Sequence, residues 1–303
     1  MNVSEILKKY EQNTKVAQIN QLLLERKKVA VSGLLGSSLS IIIQTLFKKS
    51  ELPFLLVFND KEEAAYYLND LEQLLNDQDV LFYPGSYRRP YQIEETDNAN
   101  VLLRAEVLNR INSRKKPAII VSYTEALFEK VVTRKELDKN TLKLSVNDNL
   151  SIDFINETLF EYNFKRVDFV VEPGEFSVRG GIIDVFSFSN DHPYRIEFFG
   201  NEVDSIRSFD VETQLSKEIL KKISIIPNVE NKLLQESRES FLNYINEKTV
   251  LCLQNTEEIG KKLNKLYEKA TEAYGKLSGE IKHIEPKELF LNEEVFLKRA
   301  IDF

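Results

Sequence analysis

The 303-residue chain is 42% apolar and 29% charged, with a formal net charge of −7; it has the material for a packed core, and its length points to about two domains. A single cysteine, Cys252, and only two histidines exclude an internal disulfide and a local Cys/His zinc motif, and leave little for histidine-dependent nucleophilic catalysis. No apolar run is long enough to span a bilayer and the start lacks the layout of a signal peptide, so a cytoplasmic chain with no membrane partner is expected, and no metal or cofactor.

The first 25 residues read as helices: Ser4 suits an N-cap, and Ile6, Leu7, Tyr10, Val16, Ile19, Leu22 and Leu23 recur at helical spacing. Val29-Ala30-Val31 then reads as a short strand and Leu39 to Phe47 as a helix. Phe54 to Phe58 is apolar on both faces, as a central parallel strand is. Asn59 or Asp60 caps the next helix, followed by a strand at Val80 to Phe82, a helix marked by Val101, Leu102, Ala105, Leu108 and Ile111, and a buried strand at Ala118 to Val121. Repeated β-α units predict a parallel sheet with helices on its faces.

After about Thr133 the rhythm changes. Leu142, Leu144 and Val146 alternate with polar residues, and Ser151 to Tyr162 reads as a helix. Strands are predicted at Val167–Val171, Gly181–Phe188, Tyr194–Phe199 and Val203–Phe209, punctuated by Pro173-Gly174, Asn190-Asp191 and Gly200-Asn201, which is the pattern of an antiparallel meander. Ile223 to Ile226 and Val250 to Leu253 read as strands of the first kind, with a helix from about Thr256 to Ala273. The expected class is an α/β fold with a parallel, P-loop-like sheet and an inserted small α+β antiparallel domain. Its parts are 1–135, the insert 136–214, and 215–303.

Two stretches are candidates for chemistry. Gly33 to Ser40 sits where a phosphate-binding loop would open a helix, but the positions that need glycine and lysine hold Ser38 and Leu39, and only Ser40 matches the magnesium ligand. Gly33, Gly36, Ser38, Leu39 and Ser40 thus read either as an ordinary strand-to-helix turn or as a degenerate nucleotide loop, and neither supports vigorous ATP hydrolysis. The loop Tyr83 to Tyr91 mixes Arg88 and Arg89 with tyrosines, a composition that fits either nucleic-acid stacking or a loop folded over the sheet. In the insert, strand alternation puts Arg195, Glu197 and Phe199 on one face, while Phe176, Phe186, Phe188, Phe198 and Phe199 read mainly as core.

Pro173-Gly174-Glu175-Phe176-Ser177-Val178-Arg179-Gly180, Ile183-Asp184-Val185-Phe186, Tyr194 to Phe199 and Glu202 to Asp210 resemble the insert domain shared by the repair protein UvrB and the bacterial transcription-repair coupling factors (Mfd). Leu39 at the lysine position, a Tyr83 to Asn98 segment too short for a long DNA-gripping hairpin, and the Glu172-Pro173-Gly174-Glu175-Phe176 turn point to the coupling-factor side. The resemblance implies a non-catalytic module that binds UvrA and recruits excision repair to stalled transcription. Later domains of such proteins engage RNA polymerase and translocate on double-stranded DNA using ATP, so a fragment or separately made N-terminal module is expected. Carried over by motif, the UvrA-binding residues would be Arg179, Arg195, Glu197 and Arg166 (with Lys165 the alternative basic position), and Phe176 and Phe186 would add apolar contact. The alternatives are an ATP-dependent UvrB-type DNA-binding repair protein and a simple DNA-binding module.

Overall fold

The computed structural model describes residues 3–75, 79–86, 98–113, 116–190, 192–228, 238–276 and 284–303. In chain order, α1 (Val3–Glu11), α2 (Thr14–Leu24) and α3 (Ser38–Ser50) precede β1 (Phe54–Phe58), α4 (Lys61–Leu74), β2 (Val80–Tyr83), α5 (Asn98–Ser113), β3 (Ile119–Tyr123) and α6 (Thr124–Phe128). Then come β4 (Val131–Val132), α7 (Arg134–Lys139), β5 (Leu142–Ser145), α8 (Ile152–Glu161), β6 (Lys165–Arg166), β7 (Glu175–Arg179), β8 (Ile182–Val185), β9 (Tyr194–Phe199) and β10 (Glu202–Phe209). The chain continues through β11 (Ser216–Leu220), β12 (Lys222–Ile225), β13 (Arg238–Glu239), α9 (Phe241–Tyr244), β14 (Val250–Leu253), α10 (Thr256–Gly275), α11 (Pro286–Leu289) and α12 (Glu293–Ala300). No helix among the described residues is long and apolar enough to cross a membrane.

Two compact units form. The first takes the described residues of Met1–Glu94, Ser113–Lys130 and Ser240–Phe303; the second takes those of Glu95–Asn112 and Val131–Glu239. In sequence, therefore, an α/β unit is interrupted by a second unit.

The first unit is built on a parallel sheet in the order β14-β1-β3-β2. Every residue of β1 and β3 is buried, which is why both strands read as unbroken apolar runs. Ile42, Ile43, Leu46 and Phe47 supply the buried side of α3, and Phe47 meets Phe54 edge-to-face at 6.2 Å. Asp60 caps α4 by accepting the Glu63 amide at 2.9 Å, and Asn255 caps α10 through the Glu257 and Glu258 amides. Helices α10 and α12 approach closely at Gly260, and Asn264 ties them through both the Glu293 carboxylate and its amide.

Residues 29–31 are not a strand. Val29, Ala30 and Val31 lie in irregular chain with no ladder partner, and Val31 is exposed. The run follows Lys27-Lys28 and Arg26, which is in the left-handed region, and finds no ladder partner among the described residues. Gly33 to Ser37 therefore follows irregular chain, not the first buried strand.

Cys252 stands opposite Leu56 in the β14–β1 ladder. The residue as a whole is part-exposed, but its thiol is desolvated and pushed up to about 12. The folded chain keeps this proton more tightly than the unfolded one, whose thiol ionises near pH ~8.5, so the stabilisation is full below that pH and lost as pH rises toward 12. Iodoacetamide at pH 8 is expected to leave Cys252 unmodified in the native chain and to label it after denaturation, as mass spectrometry would show.

The second unit carries a six-stranded sheet, order β11-β10-β9-β8-β7-β6, antiparallel except for the β6–β7 pair. One face presents Phe176, Ile183, Val185, Ile196 and Ile206, all fully buried. Helix α8 lies on this face: its Ile155 and Leu159 are buried, and Phe160 meets Phe176 edge-to-face at 5.2 Å. Strand β12 pairs with β5, so Ile223 to Ile225 belongs to this unit and not to the parallel sheet. The boundary expected at 214 falls between β10 and β11, which are paired strands of one sheet.

The stretch Val167–Val171, expected as a strand, is irregular after the two residues of β6. Val167 and Val170 turn inward three residues apart, a spacing incompatible with strand alternation, and join Phe186, Phe209 and Val211 in a small apolar cluster. Gly174 closes the segment in the left-handed region (φ +86°), and a Cβ there would meet the Phe188 ring at 2.6 Å. Gly174→Ala is therefore expected to destabilise the chain by about 2 kcal/mol or more, read as a lowered urea midpoint, because it adds backbone strain to a clash with a buried ring.

Candidate partner-docking surface

The second face of the six-stranded sheet is polar and collects Arg179, Arg195 and Glu197 of the residues singled out by sequence, while Arg166, on the edge strand β6, is in register with Phe176. Cross-strand register sets it out: Ser177 opposes Asp184, Asp184 opposes Arg195, and Arg195 opposes Arg207. Two residues along each strand, on the same face, Arg179 opposes Ile182, and Ile182 opposes Glu197.

At the centre is Asp184, whose side chain is only 2% exposed. Arg195 grips it with two hydrogen bonds, Nε to Oδ1 at 2.7 Å and Nη2 to Oδ2 at 2.9 Å. Arg179 donates to the same Oδ2 from the other side. The Arg195 guanidinium also lies over the Phe209 ring, 4.6 Å from its centroid, and so roofs the Val170–Phe186–Phe209 cluster. The Asp184 hydrogen bond raises the Arg195 pKa further above its already high value, which fixes its charge. Glu197 has its own partners: it accepts the Ser205 hydroxyl at 2.8 Å and pairs with Arg207. Arg195 and Glu197 thus do not brace each other, because each is engaged by a residue on the neighbouring strand.

Arg179 differs from Arg195 in exposure. Its side chain is 42% exposed against 18%, and its guanidinium sits 5.6 Å from the centroid of the exposed Phe169 ring. Arg166 is exposed on β6. Arg166, Phe169, Ser177, Val178 and Arg179 line an open groove of about 500 Å³, with the Ser177 hydroxyl donating to the Asp168 carbonyl at its floor.

Two expected contact residues are not on this surface. Phe176 is fully buried beneath α8, and Phe186 is buried in the small cluster, so both rings serve the core. Conversely, Phe199, expected in the core, is exposed. Asp184 and Phe169, which also have a place at this surface, had no assigned role from sequence. Strand alternation already aligned Phe199 with Arg195 and Glu197, and that was the available signal.

The other candidate stretch keeps little of a phosphate site. Gly33 and Gly36 take positive φ in the loop before α3. The Ser38 hydroxyl accepts the Leu35 amide at 2.9 Å, and the buried Ser40 hydroxyl donates to Asp70 at 3.0 Å. Tyr87 to Tyr91, with Arg88 and Arg89, lies outside the described residues.

Comparison with known proteins agrees with this architecture. Residues 142–230, which span β5 to β12 and include the whole polar face, match the UvrB interaction domain family. The chain is 33% identical over 210 residues to a transcription-repair-coupling factor of Bacillus subtilis, covering 69% of this chain and 18% of that protein. A transcription-repair-coupling factor of Myxococcus xanthus is 30% identical over 229 residues (73% of this chain, 19% of that protein), and one of Haemophilus influenzae is 28% identical over 172 residues (57% and 15%). The chain thus spans about a fifth of the length of these relatives. The polar-faced domain belongs to the UvrB interaction domain family, in a chain homologous to the transcription-repair-coupling factors.

Proposed function

We propose that this chain is the UvrA-docking module of a transcription-repair coupling system. The observation that carries the reading is the division of labour on the polar face. Asp184 and Arg207 engage Arg195 and Glu197, while Arg166 and Arg179 stand at the rim of an open groove beside the exposed Phe169. Two accessible cations on strands of the sheet, with an aromatic ring from the irregular segment beside them, are the chemistry of a protein-docking surface, the charges giving orientation and encounter rate and the ring giving affinity. Arg195 and Glu197 act in this reading by holding the surface in shape.

The reading takes this chain to be non-catalytic, supported by Leu39 at the lysine position and by the Ser40 hydroxyl already donating to Asp70. RNA polymerase and double-stranded DNA would be engaged by other parts of such a system, in the cytoplasm. Calorimetric titration of purified UvrA with this chain tests it. Arg166→Ala and Arg179→Ala are each expected to weaken binding by about 5- to 10-fold and to flatten its salt dependence. Unchanged affinity in the double variant would refute the assigned surface.

A further inference from the structure

Phe199 ends β9 with 82% of its surface in water. It is no frayed end. Phe199 pairs with Glu202 across the β9–β10 hairpin, and Gly200 closes the turn at φ +61°. The hairpin is tied down from outside as well: the Leu150 amide donates to the Asn201 carbonyl at 2.8 Å, and Asn149 bridges to Glu202. An aromatic ring is thus held in solvent on a braced turn.

The turn after it is open: a Cβ at Gly200 would meet nothing within 4 Å. Alternation along β9 puts Phe199 on the face of Arg195 and Glu197, and Glu197 opposes Ile182, the register partner of Arg179. The same end of the same face therefore holds an exposed ring and an exposed guanidinium. Burying a Phe side chain releases about 2 kcal/mol, and an aromatic ring loses little rotamer freedom on contact, so a ring left in water on a rigid support is a typical affinity anchor.

We propose that Phe199 is the apolar anchor of this docking face, and that it inserts into an apolar pocket on UvrA whose rim carries carboxylates facing Arg179. The proposal rests on the UvrA-docking reading and adds to it the residue that supplies most of the affinity.

The test is calorimetric titration of UvrA with the unsubstituted chain, Phe199→Ala and Arg179→Ala, at several salt concentrations and with a thermal melt of each variant. Phe199→Ala is expected to bind at least ~10-fold more weakly with an unchanged melting temperature and an unchanged salt dependence. Arg179→Ala is expected to bind with a shallower salt dependence. If Phe199→Ala binds like the unsubstituted chain while Arg179→Ala is weakened, the anchor is wrong and the docking reading stands. If the unsubstituted chain does not bind UvrA, the docking reading fails and the anchor with it. A lowered melting temperature in Phe199→Ala would assign the ring to the fold and overturn the proposal.

Discussion

Asp184→Ala is expected to lower folding stability by about 3 kcal/mol, seen as a reduced urea midpoint with an unchanged slope. Asp184 is buried and accepts from two arginines. Removing it leaves Arg179 able to swing into water, because that side chain is already well exposed. Arg195 has no such exit: its guanidinium is packed over Phe209 and would stay largely covered without its counter-charge. The loss therefore comes mainly from an uncompensated cation and less from the vanished attraction. Asp184→Asn keeps the volume and one acceptor oxygen, while its NH2 faces an arginine donor, so it is expected to recover only part of the loss. On the docking reading, Asp184→Ala also weakens UvrA binding in the fraction that remains folded, because Arg179 loses its fixed direction. A stability change below about 1 kcal/mol would show that Arg195 finds water or another acceptor, and that the pair is not a brace.

Phe176→Ala is expected to cost about 3–5 kcal/mol, since a fully buried ring is removed and the space beneath α8 does not refill. Its melting temperature should fall by many degrees. The comparison with Phe199→Ala separates two roles that look alike in sequence. An exposed aromatic removed from a hairpin end changes stability by roughly 0.5 kcal/mol or less. If Phe176→Ala bound UvrA poorly while melting like the unsubstituted chain, Phe176 would be a contact residue and its assignment to the core would be wrong. If Phe176→Ala melts early, any lost binding follows from lost fold.

Much of the fold was legible because burial writes itself into sequence in simple periods. Phe54 to Phe58 is apolar throughout because it is covered on both faces, and Tyr194 to Phe199 alternates because only one face is covered. Asp60, one of the two cap candidates read from sequence, marks the start of α4 through a local hydrogen bond that needs no tertiary partner. The failures share a cause. Val29 to Val31 and Val167 to Val171 are rich in valine, but a strand forms only where a neighbour offers a ladder. The first has no ladder partner among the described residues, and the second is drawn onto Phe186 and Phe209 by Val167 and Val170. Likewise Ile223 to Ile225 has the composition of a parallel strand but pairs antiparallel with β5.

The sequence by itself determined the two kinds of sheet, the absence of a lysine from the Gly33 to Ser40 loop, and the motif from Pro173 to Asp210 that resembles the insert domain. It also placed Arg179, Arg195 and Glu197 in one domain. Only the tertiary structure decided which of these charges is available. Arg179 and Arg195 are the same side chain on β7 and β9, the two strands that flank β8. Asp184, brought between them by the β7–β8 and β8–β9 registers, turns Arg195 into an internal brace and leaves Arg179 at the rim. Availability depends on what lies across the strand and above the face, and chain order does not encode that distance.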